Sequence, residues 1–376
     1  MMWRRKQHVP KGLQAWPAQF ENLTTEQLIG RYNQGFAACL PDEEAREKLF
    51  DSQPYPDGEQ AAVDFDLAGT GDGKLSMPFL PAWIHWPKCW PCPGQTTGDC
   101  VSHAGKNAAL VLIGVECSLG QPDPTSLIVE DWPVVSTLAE EQGVVACEAI
   151  YGYRGHSGQG ANCERLIYYT TTAGGILLRQ NYPELGIDLT KYNASIGIRW
   201  GGSNPPDAVN KEGQKHQIRS ATDAPVHTVV RDFNANGYPG WACSGLGWSS
   251  QRDENGYSRQ QGGWSHSWCI VGFDDRQSTK DKYGFPLALF LHDWYKWNSG
   301  PRDIRDSAQY VETIAAANGT TKAELILKGI VNEATGNIMI PEGTMWVDAR
   351  LLDKTDMTMM SNFNGFPRRE LSYSII

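Results

Sequence analysis

A glycine-rich stretch that runs into a helical pattern carries the residue best suited to chemistry, Cys100. The polar stretch Gly94–Gly98 is followed by apolar residues at helical spacing, namely Val101, Ala104, Ala108, Leu112 and Val115. We therefore predict that Cys100 lies where a loop meets the N-terminus of a helix. Unpaired backbone N–H groups and the positive end of the helix dipole favour a thiolate at such a position. Gln95 lies close enough in sequence to donate a hydrogen bond to a developing oxyanion.

A nucleophilic cysteine needs a base within hydrogen-bond reach, and the chain offers eight histidines. His103 falls on nearly the same helix face as Cys100, where a helix neighbour approaches the thiol poorly. His266 is better placed, because it lies in a predicted strand, Trp264–Phe273, and a strand fixes a side chain more rigidly than a loop. The sequence therefore favours His266 as the base.

The base in turn needs a partner that holds its ring. The next predicted strand, Leu287–Leu291, runs into a polar segment that contains His292, Asp293, Trp294 and Asn298. If the two strands are neighbours in a sheet, this segment lies beside His266. His292, Asp293 and Asn298 remain alternative partners.

Composition limits the classes of protein to which the chain can belong. A net charge of −10 argues against a general nucleic-acid binder, and no apolar run reaches the length of a membrane span. The basic N-terminus is not followed by an apolar core, so no secretory signal is expected. We therefore expect a soluble protein, either cytoplasmic or assembled into a particle.

The cysteines do not form a recognisable pattern. They stand at positions 39, 89, 92, 100, 117, 147, 163, 243 and 269. An odd, scattered set does not predict a disulfide framework. Cys89–Cys92 has CxxC spacing without a second pair, so we interpret it as a proline-containing turn rather than a zinc site. No cofactor and no metal site is expected.

Helical patterns come first along the chain and strand patterns later, which predicts the α+β class. Residues 1–77 are interpreted as an N-terminal extension and linker, 78–355 as the main domain, and 356–376 as a C-terminal tail. Within the domain, an insertion is expected near residues 186–260, in which residues 186–240 are loops with one or two strands and the chain is β from Tyr238 onward. The segment 302–337 is expected to be a helical insertion.

Several stretches, in order, resemble the papain-like cysteine peptidases. They are Phe79–Trp86, Gln95–Cys100, Gly155–Gly158, Ala173–Pro183 and His266–Phe273. Together they span roughly residues 78–300. The resemblance implies two lobes, a helical lobe with the nucleophile helix and a β-barrel-like lobe with the base. It also implies peptide-bond hydrolysis by Cys100 and His266, with Gln95 in the oxyanion hole and Gly158 in a substrate subsite.

The chain departs from the family in ways that bear on activity. The gap from Gln95 to Cys100 is one residue shorter than usual, and the family's additional cysteine before the nucleophile is absent. His292 stands where the family has asparagine, so the resemblance implies that His292 orients His266 and that Trp294 shields the pair. Residues 1–75 contain no recognisable inhibitory pro-segment motif.

Two other interpretations remain open at this point. The chain could be a structural or binding component of a larger assembly, such as a virion, that contacts neighbouring subunits and has little or no activity. It could also be another thiol hydrolase, such as a cell-wall amidase or a transglutaminase-like enzyme. For the favoured interpretation the partner is a peptide or protein substrate, with no nucleic acid and no membrane.

Overall fold

In the described part of the chain, the long helix Cys100–Leu119 and a seven-stranded antiparallel sheet organise the fold. The computed structural model describes residues 57–119, 136–291, 300–362, 365–366 and 368–369. In the first half of the chain the helices are α1 Gly58–Asp64, α2 Leu80–His85, α3 Cys100–Leu119, α4 Thr137–Glu141, α5 Glu148–Gly152 and α6 Cys163–Tyr168, which continues as a π-helical turn, Tyr169–Ala173. The later helices are α7 Ala194–Trp200, α8 Asp207–Gly213, α9 His227–Ala235, α10 Gln277–Tyr283, α11 Val311–Ala317 and α12 Lys322–Leu327.

The large sheet takes nearly all its strands from the second half of the chain. Its strands are β1 Leu75–Ser76, β6 Ser220–Asp223, β7 Gly240–Arg252, β8 Ser258–Asp274, β9 Leu287–Leu291, β12 Thr344–Asp348 and β13 Asp356–Ser361. Their order is β12-β9-β8-β7-β13-β6, with β1 paired to β8. Short two-stranded pairs are β2 Val145–Ala146 with β3 Leu177–Leu178, β4 Asn181–Tyr182 with β5 Ile187–Asp188, and β10 Arg302–Asp303 with β11 Met339–Ile340. The predicted α+β class is confirmed.

Helix α3 lies at the centre of the protein. It contacts β7, β8 and β13 of the sheet, and on its other sides α2, α5, α6 and β2. Its residues are buried from Cys100 to Glu116, polar ones included, whereas the apolar stripe in the sequence predicts only one buried face. Gly105 permits this packing, because a Cβ atom there would lie 2.4 Å from the Trp241 ring on β7.

The strands next to His266 follow the prediction. β8 and β9 are antiparallel neighbours, with Cys269 opposite Leu291. β8 is longer than predicted, because the polar residues from Ser258 onward pair with β7 across a turn at Asp253–Gly256. The connection between β8 and β9, which the sequence predicts to be a loop, contains helix α10.

Three other segments differ from expectation. The region 186–240 contains helices α7, α8 and α9 as well as strands; these helices have at most nine residues, which is too short for a periodic pattern to stand out in the sequence. The segment 302–337 contains α11 and α12, but β10 adds a strand at its start. The expected 356–376 tail contributes β13, which lies between β7 and β6.

The described part of the expected N-terminal extension packs on the sheet side of the protein. Leu75 pairs with Asp274 of β8, and Ala61, Ala62 and Leu67 are buried.

Of the described helices, none is both long enough and apolar enough to cross a membrane. One disulfide, Cys163–Cys243, joins α6 to β7, although the sequence predicts no disulfide framework. Residues so far apart in sequence give no spacing signal.

Candidate active site

Cys100 is the first residue of α3, as predicted. The preceding loop is held against the glycine-rich loop 152–160, since the Gly160 N–H donates to the Gly98 carbonyl at 2.7 Å. A Cβ atom at Gly98 would lie 3.0 Å from the Gly160 nitrogen, so the close approach of the two loops favours glycine there. The nucleophile loop is therefore fixed by a neighbour as well as by its helix.

The thiol of Cys100 faces the sheet. Cys100 is 4% exposed, and the backbone of Ser267 on β8 lies near enough to lower the pKa of its thiol. Burial raises the pKa of the Cys100 thiol to about 11; the backbone of Ser267 opposes that rise and the charge of Asp99 adds to it. Without a further positive partner the thiol is therefore protonated at neutral pH.

His266 directly precedes Ser267 on β8. It lies opposite Ser244 of β7, is 5% exposed, and packs edge-on against the Trp268 ring at a centroid distance of 4.5 Å. Ser267 is itself anchored, because the Trp241 Nε1–H donates to its hydroxyl at 3.1 Å. The structure thus places Cys100 against the residue next to His266, although the two are far apart in sequence. The pairing of their side chains remains a prediction.

Gln95 lies in the loop before α3 and is half-buried. Its side-chain amide donates to the Thr97 carbonyl at 3.2 Å. Its Oε1 atom is buried and has no hydrogen-bond partner among the described residues. In this arrangement the Gln95 amide N–H is bonded within its own loop, so an oxyanion would have to displace the Thr97 carbonyl as its acceptor.

The remaining predicted site residues divide into two groups. His292 and Trp294, together with the alternatives Asp293 and Asn298, lie outside the described residues. Gly158 is half-buried in the glycine-rich loop, and its carbonyl accepts from Arg154 Nε at 2.8 Å.

Some residues near Cys100 were not identified from the sequence. Tyr192 donates from its hydroxyl to Asp99 Oδ2 at 2.7 Å and accepts from the Thr96 N–H at 3.2 Å. Tyr151 is buried near the same loop, and burial raises its pKa, with the charges of Asp99 and Cys100 adding to the effect of burial. No sequence signal marks either tyrosine, because each comes from a segment distant from Cys100.

His103 and two other residues form a group that could hold a metal. His103 Nε2 lies 3.3 Å from Asp99 Oδ2. With Cys147 these residues offer ligand atoms that all lie within 4.8 Å of one another. The sequence predicts no metal site here, because these three residues have no ligand spacing in it and come together only when the chain folds.

Comparisons with known proteins give structural matches only. No protein-family model and no curated protein matches the chain. Among solved structures it is similar to xylellain, a cysteine protease from Xylella fastidiosa, at 12% identity over 87% of this chain and 96% of that chain, with a TM-score of 0.44. It is also similar to the proform of the Amb a 11 cysteine protease, a ragweed pollen allergen, at 11% identity over 90% and 78% of the two chains, with a TM-score of 0.39.

A third similar structure is digestive procathepsin L 3 of Tenebrio molitor, at 11% identity over 74% of this chain and 72% of that chain, with a TM-score of 0.36. All three TM-scores are below 0.5. The function of this chain therefore has to be argued from its own residues.

Proposed function

We propose that the protein is a papain-like cysteine peptidase that hydrolyses peptide bonds through Cys100 and His266. The observation that carries the proposal is the position of Cys100. It begins the central helix, and its thiol lies near the backbone of the residue that follows His266. A thiol at a helix N-terminus beside a strand histidine is the arrangement that nucleophilic catalysis by cysteine requires.

The chemistry follows from the two side chains. In the resting enzyme His266 takes the proton of Cys100, and the imidazolium supplies the positive partner that a buried thiolate needs. The thiolate attacks the peptide carbonyl, and His266 protonates the leaving amine. Water, deprotonated by His266, then releases the acyl group from Cys100.

The oxyanion formed in this attack needs hydrogen-bond donors. The Cys100 backbone N–H, at the start of α3, is one such donor, and the Gln95 amide is the other. Since Gln95 Nε2 donates to Thr97 in this structure, substrate binding has to turn the amide toward the oxyanion. His292 and Trp294 are proposed to orient and shield His266, and Gly158 to contact the substrate backbone.

The proposal is tested by peptide hydrolysis. Wild-type protein, Cys100→Ser and His266→Ala are incubated with a mixed-sequence peptide library, and new termini are identified by mass spectrometry. Cleavage by the wild type is expected to fall on the order of 10⁴-fold or more in both variants, because nucleophile and base act as a unit. Cys117→Ser, at the far end of α3, is the matched control and should cleave normally.

The same experiment separates the alternatives. Cell-wall peptides cleaved in place of the library would indicate an amidase. No cleavage of either substrate by a folded wild-type protein would overturn the proposal and favour a structural role.

A further inference from the structure

Three side chains of metal-ligating type converge near the start of α3. Asp99 and His103 lie four residues apart and meet on one helix face, with His103 Nε2 3.3 Å from Asp99 Oδ2. Cys147 lies between β2 and α5, immediately before the first residue of that helix. One ligand atom from each lies within 4.8 Å of the other two. Metal–ligand bonds of about 2.0–2.3 Å place ligand atoms of one ion roughly 3–4 Å apart, so small side-chain adjustments suffice.

The burial of this cluster needs an explanation. Asp99 is 1% exposed, His103 2% and Cys147 0%. A carboxylate removed from water is costly unless its oxygens are paired. Asp99 Oδ2 has Tyr192, but Asp99 Oδ1 is buried and has no hydrogen-bond partner among the described residues. A buried carboxylate oxygen in that situation is where a bound cation belongs.

The residues around the cluster would orient and balance such a cation. Tyr192 donates to Asp99 Oδ2 at 2.7 Å, and Arg179 Nη2 lies 3.9 Å from the Cys147 sulfur as a hydrogen-bond donor. Arg179 is itself paired with Glu148, its Nη1 lying 2.6 Å from Glu148 Oε1. Because that pair is neutral as a whole, a deprotonated Cys147 and Asp99 contribute the two negative charges that match a divalent ion.

We propose that Asp99, His103 and Cys147 bind a zinc ion that ties the start of α3 to the start of α5. Thiolate, imidazole and carboxylate together form a donor set suited to zinc rather than to magnesium or calcium. These three ligands leave one tetrahedral position for a further donor. With that position filled by a further donor, the ion would hold the helix end that carries Cys100, which is a structural role.

The test uses cobalt(II) as a spectroscopic substitute for zinc in full-length Cys100→Ser protein. Removing the Cys100 thiol excludes metal capture by the proposed Cys100–His266 pair, and makes the result independent of the peptidase proposal. Cobalt is expected to give thiolate-to-metal charge-transfer absorption at one ion per chain. Additional Cys147→Ser should abolish that absorption, whereas additional Cys117→Ser, the matched control, should leave it unchanged.

Two further measurements keep the test decisive if Cys147→Ser impairs folding. Zinc should raise the Tm of the Cys100→Ser protein in a concentration-dependent way, and magnesium should not. Tyr192→Phe, which removes only the hydroxyl that orients Asp99, should weaken cobalt binding by about 10–100-fold.

The proposal is overturned if folded Cys100→Ser protein gives no thiolate–cobalt absorption and no zinc-dependent rise in Tm. It is also overturned if the absorption persists at full strength when Cys147 is replaced. Either result would mean that the cluster is a hydrogen-bonded network of the core.

Discussion

The start of α3 has two sides that meet different parts of the molecule. On one side Cys100 lies near Ser267 of β8 in the sheet. On the other side Asp99 and His103 meet Cys147 and Tyr192, which belong to the helical half of the chain. The sheet side therefore meets strands from the second half of the chain, and the helical side meets residues nearer in sequence.

This difference indicates how one helix end can serve two purposes. A cleft between two parts of a protein can admit a substrate, so a reactive group is expected on the sheet side. The buried groups on the helical side are expected to serve a structural role. Variants on the sheet side should therefore change reactivity with little effect on folding, and variants on the helical side should do the reverse.

The largest effect on the sheet side is expected from His266→Ala. Peptide hydrolysis should fall on the order of 10⁴-fold, because the thiolate loses the imidazolium that stabilises it. The Tm should change little by comparison. A large loss of Tm with hydrolysis retained in the folded fraction would contradict the proposed difference between the two sides.

On the helical side, Arg179→Met should reduce stability strongly. Arg179 and Glu148 are both 0% exposed in their side chains, so the variant leaves Glu148 buried without its partner. The expected loss is about 3–5 kcal/mol in the free energy of unfolding, measured by urea denaturation.

Arg350→Met is the matched control for this prediction. Arg350 pairs with Asp348 but is 52% exposed, so the expected loss is about 0–1 kcal/mol. Equal losses in the two variants would show that burial of the Arg179–Glu148 pair does not decide the effect.

The disulfide Cys163–Cys243 links the two halves directly, through α6 and β7. Reduction, or the double replacement Cys163→Ser/Cys243→Ser, is expected to lower stability by about 2–4 kcal/mol, because the unfolded chain loses a long closed loop. Denaturation with and without dithiothreitol measures this difference. The stability of the double variant should not change with dithiothreitol. If dithiothreitol lowers its stability as much as it lowers that of the wild type, the redox-sensitive bond is not Cys163–Cys243.

The smallest effect concerns His156 in the glycine-rich loop. Burial, followed by the charges of Arg154 and Arg165, lowers its pKa from the ordinary 6.5 to about 4. Between these pH values the unfolded chain binds a proton that the folded chain does not, so stability falls as pH drops from 6.5 to about 4.

His156→Gln removes this contribution. Its Tm should therefore depend less steeply on pH across that window than the Tm of the wild type. Identical slopes would show that the folded protein leaves the His156 pKa unchanged.

The elements around the site differ in how far the sequence predicts them. α3 and the paired strands β8 and β9 could be predicted, because long apolar patterns and a glycine-rich entry mark them. The strand β13 could not, because Asp356–Ser361 is rich in methionine and has only one β-branched residue, Thr358.

The candidate site shows the same limit. Cys100, His266 and Gln95 could be singled out by residue type and local pattern. Asp99, Tyr192 and the Cys163–Cys243 pair could not, because their roles depend on contacts between segments that no spacing encodes.

The most direct test of the central claim is the rate of Cys100 alkylation by iodoacetamide at about pH 6, well below the pKa of an ordinary thiol. Cys100 is followed by peptide mass spectrometry in the wild type and in His266→Ala. A working thiolate–imidazolium pair predicts fast labelling in the wild type that is lost in the variant. Slow labelling in both, rising only in alkaline solution, would contradict an activated Cys100.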